Sequence, residues 1–189
     1  MNTQLHIKNM VCHRCIRVVR EELEALDYNT LNVTMGEALI SGVLGKEELN
    51  RIQVALEQAG FELLDDRRAQ IVEKIKNTIV EEVHHSDPET QHQNISALLE
   101  KKLELEYNYI STLFSQKEGI TIEKYTILQR IEKIKELLIY GEMNLSEIAY
   151  ACGYSSVQHL SSQFKKTTGL TPSVFRKQGL KDRKPLDAI

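Results

Sequence analysis

The chain is poor in the residues that mark several classes of protein. Its 189 residues include no tryptophan, three prolines and three cysteines. Three cysteines are too few for a disulfide framework, and they suit a reducing compartment in which thiols persist. No apolar run approaches the roughly 18 residues of a membrane span, and the N-terminus lacks the pattern of a secretory signal. These absences predict a cytoplasmic protein with no membrane partner.

Charge and motif content narrow the function further. The formal net charge is −3, but residues 1–90 carry 10 Lys/Arg and 16 Asp/Glu, whereas residues 91–189 carry 14 and 11. An acidic half and a mildly basic half indicate two roles. No Ser/His/Asp, paired-carboxylate or phosphate-loop pattern is visible, so the sequence predicts that the protein is not an enzyme.

Residues 1–66 show the pattern of a small α+β domain. Leu5 and Ile7 alternate with polar neighbours, as in a half-buried strand. Apolar residues in 16–26 recur every three or four positions, as in an amphipathic helix. Two more alternating segments, a helix ending at Gly60 and a short strand after it complete a βαββαβ order. This order predicts a ferredoxin-like domain.

Cys12 and Cys15 form a CxxC motif where the first strand passes into the first helix. Cys15 is expected in the first helical turn, where free N–H groups and the helix dipole favour the thiolate. Two thiolates there suit Cu(I), whereas Zn(II) normally takes four ligands and would need a partner's help. Met10 is expected to pack beneath the loop, and a purely structural role for the cysteines stays open.

The stretch "NMVCHRC" resembles the metal-binding loop of heavy-metal-associated domains in copper chaperones and metal-pumping ATPases. That family reads GMTCxxC within the same βαββαβ order, and Met10, Cys12 and Cys15 match it. The resemblance covers about residues 3–65. It implies that the cysteines bind Cu(I), Zn(II) or another soft metal ion.

Three further positions of this domain bear on the resemblance. Phe61 follows the second helix, where the family often has an aromatic residue that supports the loop. Asn9 and Val11 replace the glycine and the threonine of the family motif. The loop is therefore expected to differ from the family in shape and polarity.

The second half of the chain contains an internal repeat. Segment 94–121 aligns with segment 144–171 at an offset of 50 residues without a gap. Identical pairs are Asn94/Asn144, Ser96/Ser146, Ser111/Ser161, Phe114/Phe164, Gly119/Gly169 and Thr121/Thr171. Each copy reads as helix, short turn and helix, which predicts two helix-turn-helix units. An apolar stripe over 122–140 predicts one helix of about 28 Å between them, close to one DNA turn.

The second copy carries clear helix signals. Asn144 is predicted to cap its first helix, and Ser155 or Ser156 its second. Leu160 and Phe164, four residues apart, are expected to face the core. The opposite face is polar and lightly basic, as in a helix that enters the major groove.

Residues 70–178 resemble the DNA-binding domain of the AraC/XylS family of bacterial transcription regulators. The segment "LSEIAYACGYSSVQHLSSQFKKTTGLTPSVFRKQ" carries this likeness. Matched family positions are Gly153, Tyr154, Phe164, Lys165, Gly169, Thr171, Pro172 and Arg176. The resemblance implies a seven-helix domain that binds double-stranded DNA, and it allows for a homodimer and for contact with RNA polymerase. The expected architecture is a ferredoxin-like α+β domain followed by an all-α domain with two helix-turn-helix units joined by a long helix.

The resemblance also implies which residues contact DNA. The base-reading positions are Asn108, Ser111 and Thr112 in the first copy, and Val157, Gln158, His159 and Ser162 in the second. Lys165 and Lys166 would contact phosphates, which position a protein on DNA without specifying sequence. Neither reader helix carries an arginine, so discrimination is expected to be modest. Glu104 and Glu106 stand near the start of the first reader helix, so the first copy is expected to be the weaker reader or to be largely structural.

The expected domain bounds are 1–66 and 67–178, followed by a frayed tail over 179–189. Outside the sites, His84 and His85 are expected at a solvated helix end, with His92 in the loop after it. Cys152 is expected to be a buried filler.

The leading hypothesis is a DNA-binding transcription regulator that responds to a soft metal ion through Cys12 and Cys15. One alternative is a metal carrier or buffer whose helical half is a protein-docking module. Another is a regulator whose N-terminal domain serves dimerisation or binds a non-metal ligand.

Overall fold

The computed structural model describes residues 1–86, 94–178 and 183–189. The chain forms two compact units, Met1–Thr78 and Ile79–Ile189. Among the described helices, none combines the length and the apolar character that crossing a membrane requires. His92 and residues 179–182 of the predicted tail lie outside the described residues.

The first unit is an α+β structure built on a four-stranded antiparallel sheet. Its elements are β1 (Asn2–Lys8), α1 (His13–Ala25), β2 (Thr30–Thr34), β3 (Glu37–Ser41), α2 (Lys46–Gln58) and β4 (Glu62–Leu63). The strands lie in the order β2-β3-β1-β4, and the central strand β1 pairs antiparallel with both β3 and β4. The element order agrees with the sequence pattern of alternating and helical segments.

The apolar face of this sheet and one side of each helix form the core of the first unit. Leu5 and Ile7 of β1 are buried, as their alternation predicts. The other buried members are Met10, Val19, Leu23, Val33, Ala38, Ile40, Ile52, Leu56 and Phe61. Met10 is completely buried, so the loop that carries the cysteines is anchored in the core by the residue that the sequence selected.

A third helix, α3 (Arg67–Val80), contacts the first unit through its first half. The Glu73 carboxylate accepts the backbone N–H of Asn9 at 3.0 Å. The Lys74 ammonium lies 2.6 Å from the carboxylate of Glu37. Because of such contacts, the first compact unit extends to Thr78, beyond the boundary at residue 66 that the sequence suggested.

The second unit is helical in its described residues. A π-helix (Glu81–His85) follows α3 directly, and the next helices are α4 (Ile95–Leu103), α5 (Tyr107–Glu118), α6 (Ile122–Tyr140), α7 (Leu145–Ala151), α8 (Val157–Thr168) and α9 (Pro172–Gln178). A single 3₁₀ turn, Leu186–Ala188, lies near the end of the chain. Helix α6 has the predicted bounds. Its buried residues Ile131, Ile134 and Leu138 join a core with α7, α8 and α9.

The repeat of the sequence is also a repeat of the structure. The first helix pair (α4 and α5) and the second helix pair (α7 and α8) both begin at an asparagine cap, Asn94 and Asn144. Helices α5 and α8 each have 12 residues and begin 50 positions apart. Both end at a glycine in the left-handed region, Gly119 with φ 70° and Gly169 with φ 80°.

Aromatic contacts extend the repeat into the helix that follows each pair. The rings of Phe114 and Tyr125 meet edge to face with centroids 5.5 Å apart. Fifty positions later, Phe164 and Phe175 do the same at 5.6 Å. The start of α6 is therefore the structural counterpart of α9, and each copy has a three-helix core.

The predicted frayed tail is wrong for residues 183–189. The Arg183 guanidinium donates to the Glu136 carboxylate at 3.0 Å, and the backbone N–H of Lys184 donates to Glu132 Oε2 at 3.0 Å. The carbonyl of Leu186 accepts a hydrogen bond from the Gln129 amide at 3.2 Å. The segment is thus held on α6 by partners about fifty residues away, which local sequence patterns do not show.

The predicted solvated position of His84 is also wrong. Its Nε2–H donates to Gln129 Oε1 at 2.9 Å, and the Gln129 amide in turn donates to the Tyr125 hydroxyl at 3.0 Å. Burial lowers the pKa of His84 to about 4, although the hydrogen bond to Gln129 opposes that shift. Gln129 itself is fully buried. The histidine is part of a polar network inside the second unit.

Candidate functional site

The second helix pair presents its polar side chains as the sequence predicts. Asn144 caps α7 in a capping box with Glu147. Ser156 caps α8, since its hydroxyl accepts the N–H of His159 at 3.1 Å. Gly153 adopts a φ of 71° in the turn between the helices, a conformation that favours glycine. The turn and the caps together fix where α8 begins.

Helix α8 separates its buried and exposed residues cleanly. Leu160 and Phe164 are completely buried. The predicted contact residues lie on the other side: Gln158, His159, Ser162, Lys165 and Lys166 are exposed, and Val157 is half-buried. Within the described part of the chain, Gln158 and Ser162 have no hydrogen-bond partner for their side chains. Their donors and acceptors are available to a ligand.

His159 is held in place by two neighbours that the sequence reasoning did not select as site residues. Ser155 Oγ lies 3.4 Å from Nδ1 of the imidazole. The ring of Tyr154 meets the imidazole edge-on with centroids 5.3 Å apart. Tyr154 is buried, and burial raises its pKa to about 12. With Nδ1 next to Ser155, the Nε2 atom is the one left for an outside partner. The spacing of four residues between Ser155 and His159 was the available signal.

The first helix pair presents a different surface on α5. Asn108 and Thr112 are exposed, and Ser111 is half-buried. The Ser111 and Thr112 hydroxyls both donate to the backbone carbonyl of Asn108, at 3.2 and 2.8 Å. Their protons are therefore already used inside the helix, and only their lone pairs remain for an outside donor.

Acidic side chains surround the start of α5. Glu106 caps the helix without a side-chain hydrogen bond to it. Glu104 stands just before, in the left-handed region with φ 56°. Glu123 and Tyr107 line an open groove of about 570 Å³ beside α5. Burial and the nearby charge of Glu123 raise the pKa of Tyr107. This surface is less favourable for a polyanion than that of α8.

Known proteins share the sequence of this region. A family model described as a helix-turn-helix domain matches residues 99–178. The HTH-type transcriptional activator RhaR of Cronobacter sakazakii is 39% identical over 66 residues, which are 35% of this chain and 23% of that protein. The xylose operon regulatory protein of Escherichia coli is 36% identical over 63 residues, 33% of this chain and 16% of that protein. The chain thus matches less than a third of the length of either relative.

A solved structure shares the fold. The C-terminal domain of AraT, a response regulator from Geobacillus stearothermophilus, is 27% identical with a TM-score of 0.51, covering 60% of this chain and 88% of that domain. We refer to residues 99–178, which match the helix-turn-helix model and carry the resemblance to AraC-type regulators, as the AraC-type domain. All the residues predicted to contact DNA, from Asn108 to Lys166, lie inside this AraC-type domain.

The two N-terminal cysteines lie outside the AraC-type domain. Cys12 is the N-cap of α1, and Cys15 lies in its first turn as predicted. The backbone N–H of Cys15 donates to the carbonyl of Cys12 at 2.9 Å. The two sulfur atoms are 3.5 Å apart, and both side chains are half-buried. The structure therefore places the sulfur atoms of both predicted metal-binding cysteines next to each other.

The two thiols differ in acidity. Burial alone would raise the pKa of Cys12, but hydrogen bonds from Cys15 and Arg14 and the charge of Arg14 hold it below the ordinary value. Burial and the neighbouring Cys12 sulfur raise the pKa of Cys15. Within the described residues, no group of three or more His, Cys, Asp or Glu side chains is arranged to hold a metal ion. The pair thus offers two sulfur ligands.

Asn9 explains one departure from the heavy-metal-associated motif. Its φ is 72°, in the left-handed region that glycine adopts freely and asparagine tolerates better than most residues. The Asn9 side-chain amide also donates to the carbonyl of Gly60 at 3.3 Å. The Asn9 backbone and side chain therefore both support the turn before the cysteines.

Proposed function

We propose that the protein is a sequence-specific DNA-binding transcription regulator that acts in the cytoplasm and binds double-stranded DNA through α8 and α5. The observation that carries this proposal is the repeated helix pair with its exposed polar faces inside an AraC-type domain. Relatives that share this segment are named as transcription regulators. A helix-turn-helix places its second helix in the major groove, where side chains reach base edges.

Helix α8 is proposed as the stronger reader. Gln158 has a side-chain amide that can make two hydrogen bonds to adenine, and His159 offers one ring nitrogen to a base. Lys165 and Lys166 lie in the last turn of the helix and form no ion pair with any described residue. We assign these lysines to phosphate contacts.

Helix α5 is proposed as the weaker reader. Its Ser111 and Thr112 hydroxyl donors are committed to the Asn108 carbonyl. Glu104 and Glu106 lie beside its start and repel phosphate. Asn108 remains as the side chain with both donor and acceptor capacity for a base edge.

The DNA proposal is tested with duplexes selected from a random pool and with fluorescence anisotropy at several salt concentrations. The double variant K165Q/K166Q is expected to weaken binding to all duplexes and to reduce the salt slope by about 2, since each lost phosphate contact removes about 0.9. The matched control is K101Q/K102Q, which replaces two adjacent exposed lysines in the last turn of α4. Absence of salt-dependent binding by the wild type would reject the proposal.

We further propose that the first unit is a ferredoxin-like domain that binds a soft metal ion, Cu(I) above all, through Cys12 and Cys15. The βαββαβ order and the β2-β3-β1-β4 sheet support this assignment. At metal–sulfur distances of about 2.3 Å, two thiolates on one ion lie at most about 4.6 Å apart. The observed 3.5 Å between the sulfurs is within that limit. Zn(II) would need two more ligands than this pair supplies.

In this proposal the chain's own residues prepare the site. The N-terminus of α1 and the Arg14 charge favour the thiolate of Cys12. Met10 anchors the loop in the core, and Glu73 holds its first residue through the Asn9 N–H. Cys12 and Cys15 would hold a soft ion as two thiolate ligands, and a change in loop geometry on binding is the proposed input to DNA binding.

Anaerobic Cu(I) competition with a chromophoric chelator tests the metal proposal. The double variant C12S/C15S is expected to lose high-affinity binding, whereas C152A, which removes the third and buried thiol, is expected to keep it. Operator affinity is then measured with and without Cu(I). Equal chelator competition by the wild type and by C12S/C15S would contradict metal binding. Equal operator affinities would contradict coupling alone.

A further inference from the structure

A cavity of about 280 Å³ lies inside the second unit between α6, the segment after α8, α9 and residues 183–189. Its size approaches the range of pockets that hold small molecules, which begins at roughly 300 Å³. Ile131, Leu170 and Phe175 contribute apolar surface, and Ala188 and Ile189 also line the cavity. The DNA-binding proposal uses none of these residues.

One charged side chain at this cavity has unused hydrogen-bonding capacity. Lys135 is 6% exposed, and its ammonium donates to Glu132 Oε1 at 2.8 Å. Over residues 1–86, 94–178 and 183–189, Glu132 is the one partner of this ammonium. An ammonium has three N–H donors, so two remain. A hydrogen-bond acceptor on a ligand could engage these two remaining N–H groups.

Glu132 and the two threonines at the cavity already have hydrogen-bond partners. Both oxygens of Glu132 are engaged, since Oε2 accepts the backbone N–H of Lys184 at 3.0 Å. The hydroxyls of Thr167 and Thr168 donate to the backbone carbonyls one turn earlier, at 3.0 and 2.8 Å. The Lys184 side chain adds a second positive charge to the lining. A ligand that combines a negatively charged acceptor group with an apolar part would therefore complement the cavity lining.

We propose that this cavity binds a small monocarboxylate, with its carboxylate on the Lys135 ammonium and its alkyl chain against Ile131, Leu170 and Phe175. Such a ligand would bridge α6 and the segment 183–189, which already meet through Glu132 and Lys184. The geometry favours a carboxylate over a neutral amide because a charged acceptor makes the stronger hydrogen bond to an ammonium. The site is independent of DNA and of the N-terminal thiols, so its failure would leave both earlier proposals intact.

The experiment titrates the full chain with butyrate, hexanoate and octanoate, and with hexanamide as the neutral match for hexanoate. Amide shifts in ¹H–¹⁵N spectra are followed at constant ionic strength. We expect at least one carboxylate to shift the amides of α6, α9 and residues 183–189 to saturation. Hexanamide is expected to bind at least tenfold more weakly than hexanoate. No saturable shift with any carboxylate, or equal binding of the amide, would overturn the proposal.

Two variants locate the site. Lys135→Met removes the ammonium and keeps most of the side-chain length, and it should weaken hexanoate binding at least tenfold. Ala188→Phe adds a large side chain to the cavity lining and changes neither Lys135 nor Glu132, so it tests the site even where Lys135→Met fails to fold. Lys177→Met, in the exposed last turn of α9, is the matched control and should bind as the wild type does. Unchanged binding in Ala188→Phe would place the ligand elsewhere and reject the proposal.

Discussion

The two helix pairs share an interior but differ in their surfaces. Phe114 and Phe164 are both completely buried, and each meets an aromatic ring of the following helix at nearly the same distance. The outer face of α8 has side chains without described partners, whereas α5 commits two hydroxyls to the carbonyl of Asn108. The repeated positions are therefore those that packing and capping require, and the positions that differ face solvent.

The two copies also differ in the groups that surround their aromatic pairs. In the first copy the partner ring is Tyr125, whose hydroxyl accepts from Gln129, and Gln129 accepts from His84. In the second copy the partner ring is Phe175, which has no polar group. The first helix pair thus packs against a network that contains a titratable histidine, whereas the second packs against an apolar ring. The two copies should respond differently to pH.

The largest expected effect tests whether the interiors are equivalent. Phe114→Ala and Phe164→Ala should each lower the free energy of unfolding by about 3–5 kcal/mol, because each removes a fully buried aromatic ring. Urea denaturation followed by far-UV circular dichroism measures this change. Tyr109→Ala, at an exposed position of α5, is the control and should change it by less than about 0.5 kcal/mol. A cost below about 1 kcal/mol for either phenylalanine would show that the copies are not equivalent.

The next effect should separate the copies by pH. Burial lowers the pKa of His84 from 6.5 to about 4, so the unfolded chain binds a proton at a higher pH than the folded chain. Its contribution is fully present above about pH 6.5 and is lost as the pH falls toward 4. The loss should reach about 3 kcal/mol between pH 7 and pH 4.

His84→Gln keeps a polar side chain and removes this titration. The difference in unfolding free energy between wild type and variant is therefore expected to shrink as the pH falls through this window. Hydrogen exchange should place the loss of protection first in α5 and the first half of α6, which contact the network. An identical pH dependence of the two proteins would mean that His84 is not the responsible group.

Local sequence patterns predicted the parts of this fold that depend on near neighbours. The caps at Asn144 and Ser156, the bounds of α6 and the buried face of α8 each rest on residues within one or two turns. The position of Cys15 in the first turn of α1 belongs to the same group. These features follow from helix geometry, which acts over three or four residues.

Features that depend on partners far apart in the chain could not be predicted from local sequence patterns. His84 meets Gln129 across 45 residues, and Lys184 meets Glu132 across 52. Both errors of the sequence analysis, the solvated histidine and the frayed tail, come from such pairs. The base contacts, the metal ion and the domain bounds stay predictions, because they concern partners and limits that intrachain packing does not fix.

A third prediction sharpens the comparison of the outer faces. Gln158→Ala should weaken binding to a selected duplex by about 1–3 kcal/mol, roughly 5- to 150-fold, because it removes a base contact. Asn108→Ala, its counterpart on α5 at the repeated position, should cost less than about 1 kcal/mol, since the acids nearby keep that helix a weaker reader. Fluorescence anisotropy with selected and scrambled duplexes measures both losses.

Gln58→Ala, at an exposed glutamine that ends α2, is the control and should bind DNA as the wild type does. For a base contact, the loss caused by Gln158→Ala must be larger on the selected duplex than on the scrambled one. A uniform loss on both duplexes would assign Gln158 to the phosphates instead. A larger loss for Asn108→Ala than for Gln158→Ala would reverse the assignment of the stronger reader.

The smallest expected effect concerns the turns inside the two pairs. Glu104 holds a left-handed φ of 56° in the first turn, whereas glycine, Gly153 with φ 71°, does so in the second. A side chain in this region costs about 1–2 kcal/mol. Replacing it with glycine removes this cost, but the greater freedom of glycine in the unfolded chain offsets about 0.5–1 kcal/mol of the gain. Glu104→Gly should therefore stabilise the protein by about 0.5–1 kcal/mol, and Gly153→Ala should destabilise it by a similar amount or more. Glu104→Ala removes the same charge but keeps the Cβ atom, so a gain from alanine equal to that from glycine would assign the effect to charge and not to backbone strain.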